Sequence, residues 1–184
     1  MGGTFDPPHV AHLVAGEAAY LQLGVDVVTF MPAGSPWQKA ADGVSAAEHR
    51  WEMTRLAVDG VEYFEADDRE VGREGWTFTV DTLESYADED LVVILGADAA
   101  AGLASWVRGE EITKRARLAV VPRPGTDTAA VEAAIEEPFT WLDMPFVGVS
   151  GTMLRRRSRD GGSIRFLVRD AVWRYVVQHD LYRR

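Results

Sequence analysis

The first twelve residues, Met1-Gly-Gly-Thr-Phe-Asp-Pro-Pro-His-Val-Ala-His12, hold two glycines, an Asp-Pro-Pro step and two histidines three positions apart. Gly2 and Gly3 admit a backbone or a ligand where a side chain would stand in the way. Asp6 suits an N-cap, and Pro7 and Pro8 suit a first helical turn, in which a missing N–H is no loss. These residues predict a helix starting near residues 7 to 9, with His9 and His12 on one face of its first turn. A glycine turn ahead of a helix N-terminus is an anion site, and phosphate is the usual anion. A metal pair and a pair of structural histidines are the alternatives. The metal reading lacks a third ligand, because no HExxH pattern and no cysteine completes it. Phosphate contact suits the surroundings best, since imidazole can donate to phosphoryl oxygens and stabilise charge developing there.

Other candidate residues lie far along the chain. Ser150-Gly151-Thr152 followed by Leu154-Arg155 puts hydroxyls and free N–H groups at a helix start, with a cation one turn on. That pattern forms a second anion cradle. Gly96-Ala97-Asp98 closes the apolar run Leu91 to Leu95, and a turn at the carboxyl end of a parallel strand is where open α/β sheets bind ligands. Trp106 reads either as core or as a stacking face for a heteroaromatic ring. Lys39 and Arg123 read by default as surface cations. No G-x-x-x-x-G-K-[ST], G-x-G-x-x-G or G-x-S-x-G motif occurs, which removes P-loop, ordinary dinucleotide-dehydrogenase and serine-hydrolase readings.

These residues need a scaffold, and hydrophobic patterning supplies one. A helix is predicted over 8–23, ended by Gly24, and a buried strand over 25–31. A loop over 32–44 carries Trp37 and Lys39. Ser45 to Glu48 reads as a capping box opening a helix that ends near residues 59–60. A short strand at 61–66 precedes a charged surface loop and then a segment bearing Thr77, Thr79 and Thr82 ahead of a helix through Leu83. Strands at 91–95 and 118–121 flank a short amphipathic helix around 110–117. A surface helix over 127–137, an apolar stretch over 139–149 and two short helices after Ser163 complete the chain. This alternation predicts an α/β fold with a doubly wound parallel sheet, and the polar motifs fall just after strands. Residues 1–149 would form a nucleotide-binding unit, and residues 150–184 a small helical subdomain packed on it as one compact body.

Composition narrows the classes. With 184 residues, 47% of them hydrophobic, the chain can bury a sizeable core. The absence of cysteine excludes disulfides, thiol nucleophiles and cysteine zinc sites. No apolar run approaches a membrane span and no signal peptide opens the chain, so cytoplasm is the expected compartment and no membrane partner is expected. A net charge of −10 argues against broad nucleic-acid binding. Residues 150–184 nevertheless hold nine arginines against three aspartates, either a solvated helical face or a basic wall for an anionic ligand.

GGTFDPPHVAH together with VSGTMLR resembles the nucleotidyltransferase superfamily, and within it the bacterial nicotinate mononucleotide adenylyltransferases. Further likeness runs through PxxxPWQK at 32–39, AEHRWEM at 47–53, FTVDTL at 78–83, GAD at 96–98, SW at 105–106, RPG at 123–125 and SIRFLVRDAVWRYVVQHDLY at 163–182. The resemblance implies a Rossmann-like fold, Mg²⁺ dependence, and transfer of AMP from ATP to nicotinate mononucleotide with release of pyrophosphate. It implies that His9 and His12 contact the ATP phosphates and that Gly2, Gly3, Thr4 and Phe5 line the nucleotide cleft. Ser150, Thr152 and Arg155 would hold the triphosphate, and Gly96, Asp98 and Arg123 the adenosine side. Thr79, Thr82 and Trp106 would frame the nicotinate, with Lys39 reaching phosphate from its loop. No protein metal ligand is expected, and homo-oligomerisation is compatible with the family.

The chain departs from the family pattern in three places. Gly151 replaces the middle Ser of an S-S-T motif, and Val107 follows Trp106 where relatives often carry a larger polar or aromatic group. The family also has a hydrophobic strand ahead of the two glycines, so a few apolar residues upstream of Met1 are expected in the native protein. Two rivals remain at this level: adenylyl transfer to nicotinamide mononucleotide or phosphopantetheine, and a catalytically silent nucleotide sensor.

Overall fold

The structure, a computed structural model, describes residues 1–35, 43–86, 89–123 and 125–183. Strands and helices alternate as β1 (Gly2–Gly3), α1 (Val10–Leu23), β2 (Val28–Pro32), α2 (Ala47–Val58), β3 (Phe64–Ala66), α3 (Thr79–Glu84) and β4 (Val92–Gly96). There follow α4 (Ala97–Ala101), a short 3-10 turn (Leu103–Ser105), α5 (Gly109–Arg115), β5 (Arg117–Val121), α6 (Thr128–Ala134), β6 (Phe139–Trp141), α7 (Gly151–Arg159) and α8 (Asp170–Gln178).

The strands pair in parallel in two ladders, β1-β2-β3 and β4-β5-β6. β1 also contacts β4, so the order across the molecule is β3-β2-β1 and then β4-β5-β6. The chain thus winds outward in both directions from the β1/β4 boundary. A doubly wound α/β fold leaves its ligand crevice at the carboxyl ends of the strands at such a reversal.

Alternation along the strands explains the layers. Val93 and Leu95 of β4, with Leu118 and Val120 of β5, enter one apolar cluster with Val80, Leu103 and Ile112. The intervening Ile94 and Ala119 point the other way, to Phe5, Val28, Phe30 and Leu142. Strands buried on both faces need near-continuous apolar runs, as seen in Leu91 to Leu95. A third cluster joins Met53 and Ala57 of α2 to Leu154 of α7 and to Ile164, Val168, Val172 and Val176. This cluster ties the arginine-rich end of the chain to the strand layer through α2. Among the described residues, no helix is long and apolar enough to cross a membrane.

Several local expectations are corrected. α1 begins at Val10 with His9 as its N-cap, not at residues 7 to 9 behind Asp6. Asp6 cannot cap, because its carboxylate accepts from Tyr182 Oη and from Ser45 N–H. The expected Ser45–Glu48 capping box does not form: Ala46 is the N-cap of α2, and Ser45 spends its N–H on Asp6 and its carbonyl on Arg50. Ala97 and Asp98 already belong to the first turn of α4, so the expected turn there is a helix start. Residues 163–168 form turns rather than a helix, pinned where the Leu167 carbonyl accepts the Val10 N–H at 3.1 Å.

Candidate active site

The crevice at the sheet reversal opens into a cavity of about 1660 Å³. Its walls bring together Gly2, Gly3, Thr4, His9, His12, Thr79, Thr82, Gly96, Asp98, Trp106, Arg123 and Ser150, residues that stand up to 148 positions apart in the chain. Thr152, on the first turn of α7, and Arg155, one turn on from Ser150, sit beside its Ser150 rim. Lys39 lies outside the described residues.

The floor is the loop from β1 to α1. A side chain at Gly2 would meet nothing within 4 Å, whereas one at Gly3 would strike the Phe5 ring at 3.0 Å. Gly3 therefore makes room for Phe5, and Gly2 leaves its side of the backbone open to a ligand. Phe5 itself is corrected: its ring is 2% exposed, packed against Phe30 and the edge of His12, and belongs to the core. Only the backbone of Phe5 can serve the cleft. His9 and His12 stack with ring centroids 3.7 Å apart, and the His12 Nδ1 accepts the His9 N–H at 3.2 Å. Burial, with the nearby Arg123 charge second, lowers the His9 pKa to about 4. His9 is thus a neutral imidazole at physiological pH. It can donate a hydrogen bond but supplies no charge.

The second cradle joins the first directly. Ser150 caps α7, its Oγ accepting the Met153 N–H at 3.3 Å. Arg155 Nη1 donates to the Asp6 carbonyl at 2.8 Å and Nη2 to Thr152 Oγ1 at 3.4 Å, across a separation of 149 residues in the first case. Gly151 is where the two meet. A Cβ there would lie 3.0 Å from the Asp6 carbonyl oxygen and 3.3 Å from Arg155 Nη1. The missing side chain lets α7 approach the loop closely and keeps the N–H of an anion cradle.

On the opposite wall Arg123 pairs with Asp98 at 2.7 Å. Both side chains are well exposed, and such pairs exchange partners at little cost. Trp106 is half-buried against the first cluster and lines the cavity. Thr82 lines the cavity as well; it is 5% exposed and its hydroxyl donates to Glu70 Oε1 at 2.6 Å. Burial pushes the Glu70 carboxyl pKa up. Among the described residues, no group of three or more His, Cys, Asp or Glu side chains could hold a metal ion.

Two site-building residues escaped sequence reasoning. Arg50 of α2 is 1% exposed and donates to the carbonyls of Thr4 at 3.0 Å, Gly34 at 2.7 Å, Ser45 at 2.9 Å and Ala33. Tyr182 donates to Asp6 Oδ1 at 2.6 Å. Arginine and tyrosine are ordinarily surface or mixed residues, so no pattern of spacing marks them as braces.

Comparison with known proteins agrees with this geometry. The cytidylyltransferase-like family model matches residues 1–157. A Salinibacter ruber protein named "Probable nicotinate-nucleotide adenylyltransferase" is 39% identical over 186 residues, covering 99% of this chain and 95% of the relative. A Nocardioides protein of the same name is also 39% identical, covering 100% and 93%. In fold, the chain is similar to Plasmodium falciparum nicotinic acid mononucleotide adenylyltransferase complexed with NaAD, with a TM-score of 0.81, 18% identity and coverage of 98% and 94%. The same enzyme complexed with APC gives a TM-score of 0.78 at 17% identity. On the family match and the full-length relatives, the chain belongs to the cytidylyltransferase-like family, in its nicotinate-nucleotide adenylyltransferase group.

Proposed function

We propose that the chain transfers the adenylyl group of ATP to nicotinate mononucleotide, giving nicotinate adenine dinucleotide and pyrophosphate, a step of NAD biosynthesis. The observation that carries this reading is the contact between the two anion cradles, Arg155 Nη1 on the Asp6 carbonyl at 2.8 Å. It places a cationic helix start beside the histidine-bearing loop, as a triphosphate spanning both requires. The relatives' names and the NaAD complex of the Plasmodium enzyme support the choice of acceptor.

The reaction is direct in-line displacement. The phosphate oxygen of the mononucleotide attacks the α-phosphorus of ATP, the bond from that phosphorus to the bridging oxygen breaks, and pyrophosphate leaves with its electron pair. Such transfer needs positioning and charge neutralisation more than covalent chemistry. His12 and neutral His9 donate to phosphoryl oxygens, while Arg155 with Ser150 and Thr152 holds the departing pyrophosphate. Arg123, Asp98 and Gly96 flank the adenosine, and Gly2, Gly3, Thr4 and the Phe5 backbone line the cleft. Trp106, Thr79 and Thr82 frame the nicotinate, and Lys39, outside the described residues, is assigned a phosphate contact. Mg²⁺ enters with ATP. The groups facing the triphosphate are imidazole, guanidinium and backbone N–H, which suit phosphate oxygens, and the hard cation is left to the nucleotide's own oxygens. Residues 150–184 act as a helical subdomain carrying one half of this clamp.

Pyrophosphate release with ATP and each of nicotinate mononucleotide, nicotinamide mononucleotide and phosphopantetheine tests the reading. The nicotinate acceptor is expected to give the highest kcat/KM. A preference for another acceptor would reassign the substrate, and no release with any of them would make the chain a nucleotide-binding sensor.

A further inference from the structure

The last turn of the chain closes onto the first. Tyr182 follows α8, and its hydroxyl donates to Asp6 Oδ1 at 2.6 Å across 176 residues. Asp6 is 3% exposed, and a buried carboxylate needs its lone pairs occupied. Its second oxygen accepts the Ser45 N–H at 3.0 Å and lies 3.9 Å from Arg155 Nη1, which also donates to the Asp6 carbonyl. One carboxylate therefore fixes the loop before α1, the segment before α2, the start of α7 and the tail after α8.

The backbone on both sides of this bond is in the left-handed region that non-glycine residues rarely adopt. Phe5 has φ 48°, Asp180 φ 51° and Tyr182 φ 66°. Strain of that kind persists only where surrounding contacts over-determine it. Here it flanks the residue that touches Arg155 and precedes His9 by three positions. A tail tyrosine serving packing alone would have no need to reach a carboxylate, since its ring could end against apolar side chains.

We propose that Tyr182 is a positioning residue for adenylyl transfer: its hydroxyl fixes Asp6, and through Asp6 it aims the Arg155 guanidinium and the loop that carries His9 and His12. This inference rests on the adenylyl-transfer reading above. The role belongs to the clamp on ATP, so it should be visible in ATP binding as well as in turnover, and it should act through Arg155.

The test compares the full chain with Tyr182→Phe, which keeps the ring and removes one hydroxyl, alone and in an Arg155→Ala background. Turnover, both KM values, the calorimetric Kd for Mg·ATP and the thermal midpoint are measured, with assays run well below that midpoint. Tyr182→Phe is expected to lower kcat about 10-fold and weaken Mg·ATP several-fold, leaving the KM for nicotinate mononucleotide within about two-fold. In the Arg155→Ala background its further effect should fall below about two-fold, as coupled residues require. Asp6→Asn, read in the same assays, is expected to give the same pattern from the other side of the bond. Unchanged turnover and Mg·ATP affinity, or a loss that persists in full without Arg155, would overturn the proposal. If the wild-type chain shows no turnover with nicotinate mononucleotide, the adenylyl-transfer reading fails, and the Mg·ATP affinities of the five proteins decide the role of Tyr182 by themselves.

Discussion

His9 and His12 lie ring on ring, 3.7 Å between centroids and 18° from parallel, while the His12 Nδ1 accepts the backbone N–H of His9. With Nδ1 acting as an acceptor, the proton of neutral His12 resides on Nε2. The helix cap thereby sets the tautomer of a residue that the proposed reaction uses as a donor. His12→Ala removes the donor and the cap together. Its kcat is expected to fall about 10²-fold or more, as for loss of one preorganised donor to developing charge. Steady-state pyrophosphate release measures this, and near-normal turnover would remove His12 from the chemistry.

The depressed His9 pKa has a consequence for stability. Unfolded, the ring titrates near 6.5; folded, near 4, chiefly through burial. Between those values the unfolded state binds more protons, so stability is fully present above pH 6.5 and is lost progressively down to about pH 4. Below that both states are protonated and the loss stops growing. The expected decline over this window is on the order of 3 kcal/mol. Urea denaturation of wild type and His9→Asn at several pH values reads it, and the variant should lack this part of the acid slope.

Arg50 supports the site through stability. Its guanidinium is buried and donates to four carbonyls drawn from the β1–α1 loop, the end of β2 and the start of α2. Arg50→Leu leaves those acceptors without donors in a desolvated place, and a loss of about 3–5 kcal/mol is expected. Arg50→Lys should recover only part of it, because an ammonium cannot reproduce the planar fork. The urea midpoints of the three proteins order them.

Trp106 gives a prediction of a different type. It is half-buried in the wall of the cavity, so its exposed face is available for stacking, and the proposed function sets that face against the nicotinate. Trp106→Ala is expected to raise the KM for nicotinate mononucleotide about 10-fold, equivalent to roughly 1.4 kcal/mol of ring contact, and to leave the KM for ATP nearly unchanged. Equal increases in both KM values would mean that the indole serves packing alone.

Much of the fold was legible because it rests on local rules. The continuous apolar run of β4, glycine closing α1, and serine capping α7 are read from neighbours a few residues apart. Two of the failures share one cause. Asp6 and Ser45 both have the residue type of a helix cap, but Asp6 is taken by Tyr182 and Arg155, and Ser45 by Asp6 and Arg50. Local propensity loses where a buried charge must find its hydrogen bonds elsewhere.

Sequence by itself determined the α/β class, the two helix starts proposed to hold phosphate and the family, because residue types and spacings carry those signals along the chain. Tertiary structure alone decided that the two helix starts meet at Gly151, that Phe5 is core and that the Thr82 hydroxyl is bound to Glu70. It also decided that His9 is neutral, since desolvation depends on what packs around a ring and not on what precedes it in the chain.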